Sequence, residues 1–233
     1  MILRNYISDQ YLNYLQRKKR ELELDKNNLE PSHRITLSKI KENRNEPILF
    51  AGYPKSGNTW LRFLIYHYVE LSKHTLNEPL THTKLLNLQY DSIEKGIETE
   101  KQTNPEIIRT HLYFYPEFEK VFSKYIYVYR HPLDVLVSAW HFFILNRNGS
   151  TLSSPNNNID NYVKYNLINW VEHFKGYQRN GGYITSYESL KKDTRKELVR
   201  LLQYLEIEQN TNNVNRSIEL SNFESIKKMT IDS

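Results

Sequence analysis

Cysteine is absent from the 233-residue chain. Disulfide bridges and thiolate metal sites are therefore excluded, and a reducing compartment is compatible with the composition. Long apolar runs are also absent, since no stretch approaches the ~18 residues that a membrane-spanning helix needs. The N-terminus lacks an apolar core followed by a small-residue cleavage site, so no secretory signal peptide is expected. These absences predict a cytoplasmic protein without a membrane span or an N-terminal anchor.

The charge balance is modest, with a formal net charge of +5 from 32 Lys and Arg against 27 Asp and Glu. Because basic residues are interleaved with acidic ones, the pattern gives little support to nucleic-acid binding. A small polyanionic ligand fits the charge better. The length and a hydrophobic content of 39% fit a single domain, 1–233, in which 1–45 is an N-terminal helical extension.

The most informative stretch is 48–61. Residues 48–51 (ILFA) form a short apolar run between Pro47 and Gly52, which predicts a buried strand. A small polar loop follows, and an apolar helical pattern then begins at Trp60. A strand, loop and helix in this order direct backbone N–H groups and the positive end of the helix dipole at an anion. An ordinary strand-to-helix turn is the alternative interpretation.

The loop departs from the Walker phosphate-binding pattern. Gly52, Gly57 and Thr59 are in register with that pattern, but Asn58 occupies the lysine position and the lysine lies earlier, at Lys55. The Walker lysine reaches the terminal phosphates of a nucleotide, so its displacement indicates a different anion. The run Tyr-Pro-Lys-Ser-Gly-Asn-Thr-Trp resembles the 5'-phosphosulfate loop of cytosolic-type sulfotransferases, which use 3'-phosphoadenosine 5'-phosphosulfate (PAPS). Asn58, where the family commonly has Thr, is the one departure within this run.

The resemblance implies a role for each residue of the loop. Lys55 is expected to stabilise the charge that develops on the oxygen between phosphate and sulfate. Trp60 would be a core residue on most helices, but its match to the family motif implies that it stacks on adenine. The expected N–H and hydroxyl donors to the 5'-phosphate are Ser56, Gly57, Asn58 and Thr59.

Strands and helices alternate along the rest of the chain. Apolar or β-branched runs predict strands at 106–111, 125–129 and 183–186, and helical patterns occur at 58–72, 82–88, 116–122, 133–145, 159–177, 187–205 and 213–229. Residues 1–30 are predicted as a polar helix that Pro31 ends, 31–46 as irregular, and 89–104 and 146–158 as loops. The alternation predicts an α/β fold, P-loop-like and three-layered, in which helices flank a mostly parallel central sheet.

Polar or charged residues directly follow each of the predicted strands. They are the loop at 54–59, the stretch from Arg109 to His111, Arg130, and Tyr187. Parallel sheets bind ligands at the carboxyl ends of their strands. We therefore expect these residues to converge on one rim, and this convergence supports an active site independently of any single motif.

His111 is the candidate general base. A lone histidine is more often structural than catalytic, and the chain has 8 of them, but this one ends a strand beside a cation. The stretch Arg109-Thr110-His111-Leu112 is similar to the family's Lys-Thr-His-Leu, whose histidine removes the proton from the acceptor hydroxyl or amine. The resemblance places Arg109 near the transferring sulfuryl group, where arginine keeps the charge of lysine but not its geometry.

A second motif begins at Arg130. Arg130, Pro132, Asp134 and Ser138 are in register with the family's 3'-phosphate motif, Arg-Asn-Pro-x-Asp-x-x-x-Ser, and His131 replaces its Asn. The arginine guanidinium can donate two parallel N–H hydrogen bonds to a phosphate, and the serine hydroxyl can donate another. Arg130 and Ser138 are therefore expected to bind the 3'-phosphate, and an ion pair with an acidic residue is the alternative for Arg130.

Looser matches occur towards the C-terminus. Tyr187-Glu188 resembles a family pair whose tyrosine lies near the nucleotide, and Ser221 and Phe223 stand in a segment similar to an adenosine contact. Family members usually continue into an Arg-Lys-Gly loop that also grips the 3'-phosphate. No such triplet follows Phe223, so weak, salt-sensitive nucleotide binding is expected.

The sequence therefore predicts transfer of a sulfuryl group from PAPS to a hydroxyl or amine of a small-molecule or glycan acceptor, with no metal requirement. A P-loop kinase of a small molecule and a non-catalytic nucleotide-binding protein of the same fold are the alternatives. Thr59 favours the kinase, whereas the displaced lysine and the 3'-phosphate motif oppose it. Intact Lys55 and His111 oppose the non-catalytic alternative. Residues 73–104 and 143–160 are expected to shape the acceptor pocket.

Overall fold

The computed structural model describes residues 9–25, 28–88, 91–97, 104–145, 158–222 and 226. The strands are β1 (Ile48–Ala51), β2 (Ile107–Thr110), β3 (Lys124–Tyr129) and β4 (Tyr183–Ser186). The helices are α1 (Asp9–Asp25), α2 (Pro31–Asn43), α3 (Asn58–Leu71), α4 (His82–Leu88), α5 (Pro132–Ala139), α6 (Ile159–Arg179), α7 (Tyr187–Lys192), α8 (Thr194–Tyr204) and α9 (Thr211–Leu220). A 3-10 helix covers Pro116–Lys120, and a π-helical segment, Trp140–Leu145, continues α5.

The strands form a 4-stranded sheet in the order β2-β1-β3-β4, and all of its pairs are parallel. β1 lies between β2 and β3, with Phe50 opposite Arg109 on one side and Ala51 opposite Tyr127 on the other. The connections from β1 to β2 and from β2 to β3 therefore place the next strands on opposite sides of β1. Such a switch in strand order opens a ligand crevice at the carboxyl ends of the strands. The predicted α/β fold with a parallel sheet is confirmed.

Both faces of the sheet are buried against apolar side chains. Ile48, Phe50 and Val128 belong to a core that includes residues of α3, α8 and α9. Leu49 and Tyr127 belong to a second core, which includes residues of α2 and α6. Burial on both faces explains why the strands read as continuous apolar runs instead of alternating ones.

A buried histidine joins α3 to the end of α9. The Nδ1 atom of His67 lies 2.7 Å from Ser221 Oγ, and its Nε2 atom accepts the Leu80 N–H at 2.7 Å. Because Nε2 accepts, the ring proton is on Nδ1 and is donated to Ser221. Burial, aided by the charge of Arg216, lowers the pKa of His67 to about 4. The ring is therefore neutral near pH 7, and it holds the C-terminal end of α9 against α3.

Residues 31–43 form α2, so the prediction of an irregular segment at 31–46 is wrong. Pro31 begins this helix instead of ending the preceding one, because proline fits the first helical turn, where its missing N–H would have no helical partner. Only Leu37 and Ile40 are buried on α2. Two apolar positions in a polar stretch are too few to show the repeating pattern by which a helix is recognised in a sequence. Beyond its end, Arg44 pairs with Asp91 at 2.6 Å.

The helix predicted at 187–205 is also wrong as a single element, because Asp193 divides it into α7 and α8. The backbone of Asp193 has φ −150° and ψ 78°, and its carboxylate accepts the Lys196 N–H at 3.0 Å. Aspartate is a favoured N-cap because its side chain satisfies a free N–H of the first turn. This local hydrogen bond overrides the helical pattern of the flanking residues.

The remaining predicted elements differ mainly at their ends. The helix predicted at 133–145 changes from α to π geometry at Trp140. The prediction of one helix at 213–229 is wrong at its end, because α9 ends at Leu220 and residues 221–222 are not helical, although residue 226 is helical. In the loop predicted at 89–104, Ser92 forms bridges with Gly96 and Arg109. Residues 1–8, 26–27, 89–90, 98–103 and 146–157 of the predicted helix and loops lie outside the described residues, and residues 28–30 of that predicted helix are not helical.

Candidate active site

A cavity of about 660 Å³ lies at the carboxyl ends of the strands. This cleft brings together most of the site residues predicted from the sequence, namely Lys55, Gly57, Asn58, Thr59, Trp60, Arg109, His111, Arg130, Ser138 and Tyr187. A second cavity, of about 510 Å³, lies at the opposite end of the sheet beside Ile48 and Lys124, and none of the predicted site residues lines it. The predicted convergence of the residues that follow the strands is therefore present in the fold.

The loop before α3 owes its shape to unusual backbone angles. Gly57, the N-cap of α3, has φ 96°, and Lys55 has φ 71°. A Cβ atom on Gly57 would lie 2.7 Å from Cδ2 of Tyr187, so the position requires glycine for its conformation and for space. The Asn58 amide donates to the Tyr53 carbonyl at 3.0 Å and closes the loop. The free N–H groups of the first turn of α3 thus lie at one wall of the cleft, as in an anion site.

Two buried donors in or beside this wall have no hydrogen-bond partner within the described part of the chain. They are Nε of Arg130, which lines the cleft, and the hydroxyl of Ser56, which is 0% exposed and does not line it. A buried donor without a partner is costly, so such groups indicate a ligand that completes them. A phosphate or sulfate group has the acceptor oxygens that both donors need.

Lys55 and Arg130 form the cationic part of the same wall. The Lys55 Nζ atom lies 4.0 Å from the ring centre of Phe142, and the Arg130 guanidinium lies 4.8 Å from that of Tyr187. Burial and the nearby charge of Arg130 lower the pKa of Lys55. The alternative interpretation of Arg130 was an ion pair with an acidic residue. The structure contains an exposed contact of this kind, in which the Arg130 guanidinium lies 3.7 Å from the Asp134 carboxylate.

An aromatic pair lies next to this cationic wall. The rings of Trp60 and Tyr187 meet edge to face with centres 5.5 Å apart. The Trp60 indole N–H donates to the Ser221 carbonyl at 3.0 Å. Ser221 itself is buried and does not line the cleft, because its hydroxyl is engaged by His67. Phe223 lies outside the described residues.

The orientation of His111 follows from a backbone contact. Its Nδ1 atom lies 2.7 Å from the carbonyl oxygen of Gly52, which can only accept. The proton of the neutral ring is therefore on Nδ1, and the lone pair is on Nε2. The backbone N–H of His111 donates to the Glu94 carboxylate, which also accepts the Thr110 hydroxyl at 3.1 Å. The ring thus offers a base at the end of β2, next to the anion-binding loop.

His173 on α6 contacts the backbone of His111, and it was not predicted from the sequence. Its side chain is buried, its Nδ1 accepts the Tyr127 hydroxyl at 2.8 Å, and its Nε2 donates to the His111 carbonyl at 3.1 Å. The only sequence signal was a histidine at helical spacing from Trp170 and Tyr177, both buried. That spacing equally describes a core residue, and only the fold shows the contact with His111.

A further group of cationic residues lines the same cleft, and most of its members were not predicted from the sequence. It comprises Arg62 and His82 together with the predicted Arg109, and Lys95 lines the same cleft. Burial and the charge of Arg109 lower the pKa of Arg62 to about 10. Burial and the charges of Arg62 and Arg109 lower the pKa of His82. Arg62 lies on α3 in an apolar stretch, so only the fold reveals that it reaches the cleft.

None of the described groups of His, Asp and Glu has three or more members placed to hold a metal ion. No described helix is long and apolar enough to cross a membrane.

The sequence matches a known protein family and has known relatives. The family described as the sulfotransferase domain matches residues 45–233. Human Sulfotransferase 1E1 is 27% identical over 199 residues, which are 79% of this chain and 67% of that protein. The Amine sulfotransferase of Oryctolagus cuniculus is 26% identical over 200 residues, 80% of this chain and 64% of that protein. The chain thus spans about two thirds of the length of these relatives.

The fold has counterparts among solved structures. A crystal structure of mouse sulfotransferase SULT7A1 complexed with PAP matches with a TM-score of 0.60 at 22% identity, over 82% of this chain and 71% of that chain. The family and the sequence relatives are sulfotransferases, so they support sulfuryl transfer and do not favour the kinase alternative. The predicted family is confirmed: the chain belongs to the sulfotransferase domain family.

Proposed function

We propose that this chain transfers a sulfuryl group from PAPS to a hydroxyl or amine of a small-molecule or glycan acceptor. PAPS would supply the sulfuryl group and leave as 3'-phosphoadenosine 5'-phosphate (PAP). The observation that carries the proposal is the tautomer of His111, because the Gly52 carbonyl holds the proton on Nδ1 and leaves Nε2 as the base. This base lines the same cleft as the anion-binding loop and Arg130, whose Nε is buried and has no hydrogen-bond partner among the described residues.

The nucleotide would occupy the wall built by β1, α3 and α5. The 5'-phosphate would accept hydrogen bonds from Ser56, Gly57, Asn58 and Thr59. The Ser56 hydroxyl has no other hydrogen-bond partner among the described residues. The 3'-phosphate would lie against Arg130 and Ser138, and adenine against Trp60 and Tyr187. Ser221 would support this wall through its carbonyl contact with Trp60. The predicted contact between Phe223 and adenosine remains part of the proposal.

The chemistry assigned to the protein is proton removal and charge stabilisation. His111 Nε2 takes the proton of the acceptor as the acceptor oxygen or nitrogen bonds to sulfur and the bond from sulfur to the phosphate oxygen breaks. Lys55 stabilises the negative charge that develops on that oxygen, and Arg109 stabilises the sulfuryl oxygens. Fixed cations in a cleft stabilise the charge of the transition state, as they do in phosphoryl transfer. In this scheme the cationic side chains stabilise the developing negative charge, and no metal ion is required.

The most direct test compares two donors on the same protein. Incubation with ³⁵S-labelled PAPS and a panel of phenols, amines and sugars is expected to give a labelled acceptor, whereas γ-³²P-labelled ATP is expected to give none. Label transfer from ATP alone would establish the kinase alternative. Binding of PAP without any transfer across the panel would establish the non-catalytic one.

Arg130→Ala tests the nucleotide half of the proposal. Loss of charge-assisted hydrogen bonds to the 3'-phosphate is expected to weaken PAP roughly ten- to a hundredfold. The affinity for adenosine 5'-phosphate, which lacks that phosphate, should hardly change. Calorimetry gives the ratio of the PAP affinity to the adenosine 5'-phosphate affinity in the wild type and in the variant. If the two proteins have the same ratio, Arg130 does not bind the 3'-phosphate.

We further propose that residues 1–233 act as one domain in the cytoplasm. Support for one domain comes from the N-terminal helix, since Tyr11 and Tyr14 of α1 donate to the backbone of α6 at Lys164 and Tyr165. Support for the location comes from motifs that resemble those of cytosolic-type sulfotransferases.

A further inference from the structure

His111 lies just beyond the part of the sheet that holds its strand. β2 ends at Thr110, and the strand order β2-β1-β3-β4 places it at the edge of the sheet. The register between β1 and β2 ends with the pair of Ala51 and Thr110, one residue before His111. The position of the His111 backbone therefore depends on contacts other than the ladder of the sheet.

Side chains bind both peptide groups of His111. Its N–H donates to the Glu94 carboxylate, and its carbonyl accepts the Nε2–H of His173 at 3.1 Å. The imidazole adds a third contact, since its Nδ1–H donates to the Gly52 carbonyl at 2.7 Å. The contact with Gly52 sets the tautomer, and the two backbone contacts set the place from which the side chain starts. The direction of the Nε2 lone pair depends on all three.

His173 is the more firmly held of the two side chains that bind this backbone. It is 1% exposed, and its Nδ1 accepts the Tyr127 hydroxyl at 2.8 Å. Tyr127 is also 1% exposed and lies on β3 opposite Ala51, the last residue of β1. Glu94, in contrast, is at an exposed position. Through Tyr127, His173 therefore fixes the carbonyl of His111 relative to the central strands.

The same two side chains also contact the anion-binding loop. The ring of Tyr53, two residues before Lys55, meets the His173 ring edge to face with centres 5.4 Å apart. Burial raises the pKa of the Tyr127 hydroxyl, and the backbone N–H of Tyr53 is close enough to this hydroxyl to lower it. His173 thus lies between the loop proposed to bind PAPS and the residue proposed as the base.

The polarity of His173 has no use in packing alone. Aromatic rings surround it, with the centres of Tyr113, Tyr127 and Tyr177 at 5.5, 5.6 and 5.2 Å. An apolar side chain would fill such a place without the cost of removing two nitrogens from water. Both nitrogens instead form the connection from β3 to the carbonyl of His111.

We propose that His173 is a positioning residue for sulfuryl transfer, which holds the backbone of His111 so that Nε2 faces the acceptor beside the PAPS loop. His173 does not line the cleft, so it acts through His111 and not on a substrate. This inference rests on the proposed function, since it assumes that His111 is the base. A misplacement of about 1 Å can slow a reaction on the order of a hundredfold.

Rate and affinity are measured separately in three variants. His173→Leu removes both hydrogen bonds, Tyr127→Phe removes one, and His173→Gln keeps an N–H donor that can take the place of Nε2–H. Single-turnover transfer of ³⁵S from pre-bound PAPS is expected to slow roughly ten- to a hundredfold in His173→Leu and less in the other two. The PAP affinity, measured by calorimetry, is expected to stay unchanged in all three.

Tyr68→Phe is the matched control for the loss of a buried hydrogen bond. Tyr68 is 1% exposed, like Tyr127, and its hydroxyl donates to the Glu208 carbonyl at 2.6 Å, but it does not line the cleft. Its unfolding free energy in urea is expected to fall as that of Tyr127→Phe does, while its transfer rate stays at the wild-type value. A merely structural role of His173 would give no such separation.

A double variant tests whether His173 acts through His111. His111→Asn already lacks the base, so adding His173→Leu to it is expected to slow transfer about twofold at most, because interacting residues are not additive. The His111 ring gives a second readout that needs no transfer. ¹⁵N NMR of the PAP-bound protein, assigned with His111→Asn, is expected to show the Nδ1–H tautomer in the wild type and both neutral tautomers in His173→Leu.

Three results would overturn the proposal. They are transfer by His173→Leu at the rate of Tyr68→Phe, a loss of PAP affinity in His173→Leu that matches its loss of rate, or equal slowing by His173→Leu with and without His111. If circular dichroism shows that His173→Leu does not fold, transfer by Tyr127→Phe at the control rate would overturn it. Absence of transfer by the wild type to every acceptor would instead count against the proposed function. The NMR comparison would still decide whether His173 orients the His111 ring.

Discussion

At the scale of single residues, Gly57 shows how the loop, the nucleotide wall and the start of α7 depend on one another. Its left-handed backbone lets the chain turn into α3, and its missing side chain lets the Tyr187 ring lie against the loop. Tyr187 in turn contacts Trp60 and Arg130. A methyl group at this position would therefore disturb three predicted nucleotide contacts at once.

Gly57→Ala is expected to lose PAP affinity, and Gly181→Ala provides the matched control. Both glycines have positive φ, 96° and 75°, but a Cβ atom meets Tyr187 at 2.7 Å in the first case and nothing within 4 Å in the second. Both variants are expected to lose about 1–2 kcal/mol of unfolding free energy from backbone strain. Urea unfolding and PAP calorimetry separate the effects. Equal loss of PAP affinity in the two variants would contradict the role given to Tyr187.

At the scale of elements, the buried contact between α3 and the end of α9 depends on the charge of His67. The pKa of His67 is lowered to about 4 from 6.5. Between these values the unfolded chain binds a proton that the folded chain does not, so the unfolding free energy falls as the pH drops from 6.5 towards 4. The shift corresponds to a loss on the order of 3 kcal/mol.

His67→Asn tests this coupling, because the amide retains a donor for Ser221 but does not titrate. Its unfolding free energy, measured in urea from pH 7 to 4.5, is expected to fall less steeply with pH than that of the wild type. His141→Asn removes an exposed histidine and is expected to keep the wild-type slope. Equal slopes for His67→Asn and the wild type would show that His67 is not the titrating group.

The elements also show which features could be predicted from the sequence. The strands at 48–51 and 124–129 are apolar or β-branched runs buried on both faces, so local composition is sufficient to identify them. α2 is different, because only two of its side chains, Leu37 and Ile40, are buried. The ion pair just beyond its end joins Arg44 to a residue distant in sequence. The break at Asp193 was missed because a cap hydrogen bond competes locally with the helical pattern.

At the scale of the whole molecule, the parallel sheet explains why part of the site was predictable. Lys55, His111, Arg130 and Tyr187 each follow a strand, and parallel strands end at one rim. Residues that reach the cleft from the middle of helices carry no such signal. Arg62 on α3 and His173 on α6 lie in apolar helical stretches, and their relation to the cleft depends on how the helices pack.

The central claim is that His111 removes the acceptor proton, and His111→Asn tests it most directly. An asparagine amide can still donate to the Gly52 carbonyl but offers no base in place of Nε2. Single-turnover transfer of ³⁵S from pre-bound PAPS to an accepted substrate is expected to slow by roughly 10²–10⁴-fold. PAP affinity should be unchanged, and His141→Asn should transfer at the wild-type rate. Transfer by His111→Asn at a near wild-type rate would contradict the account.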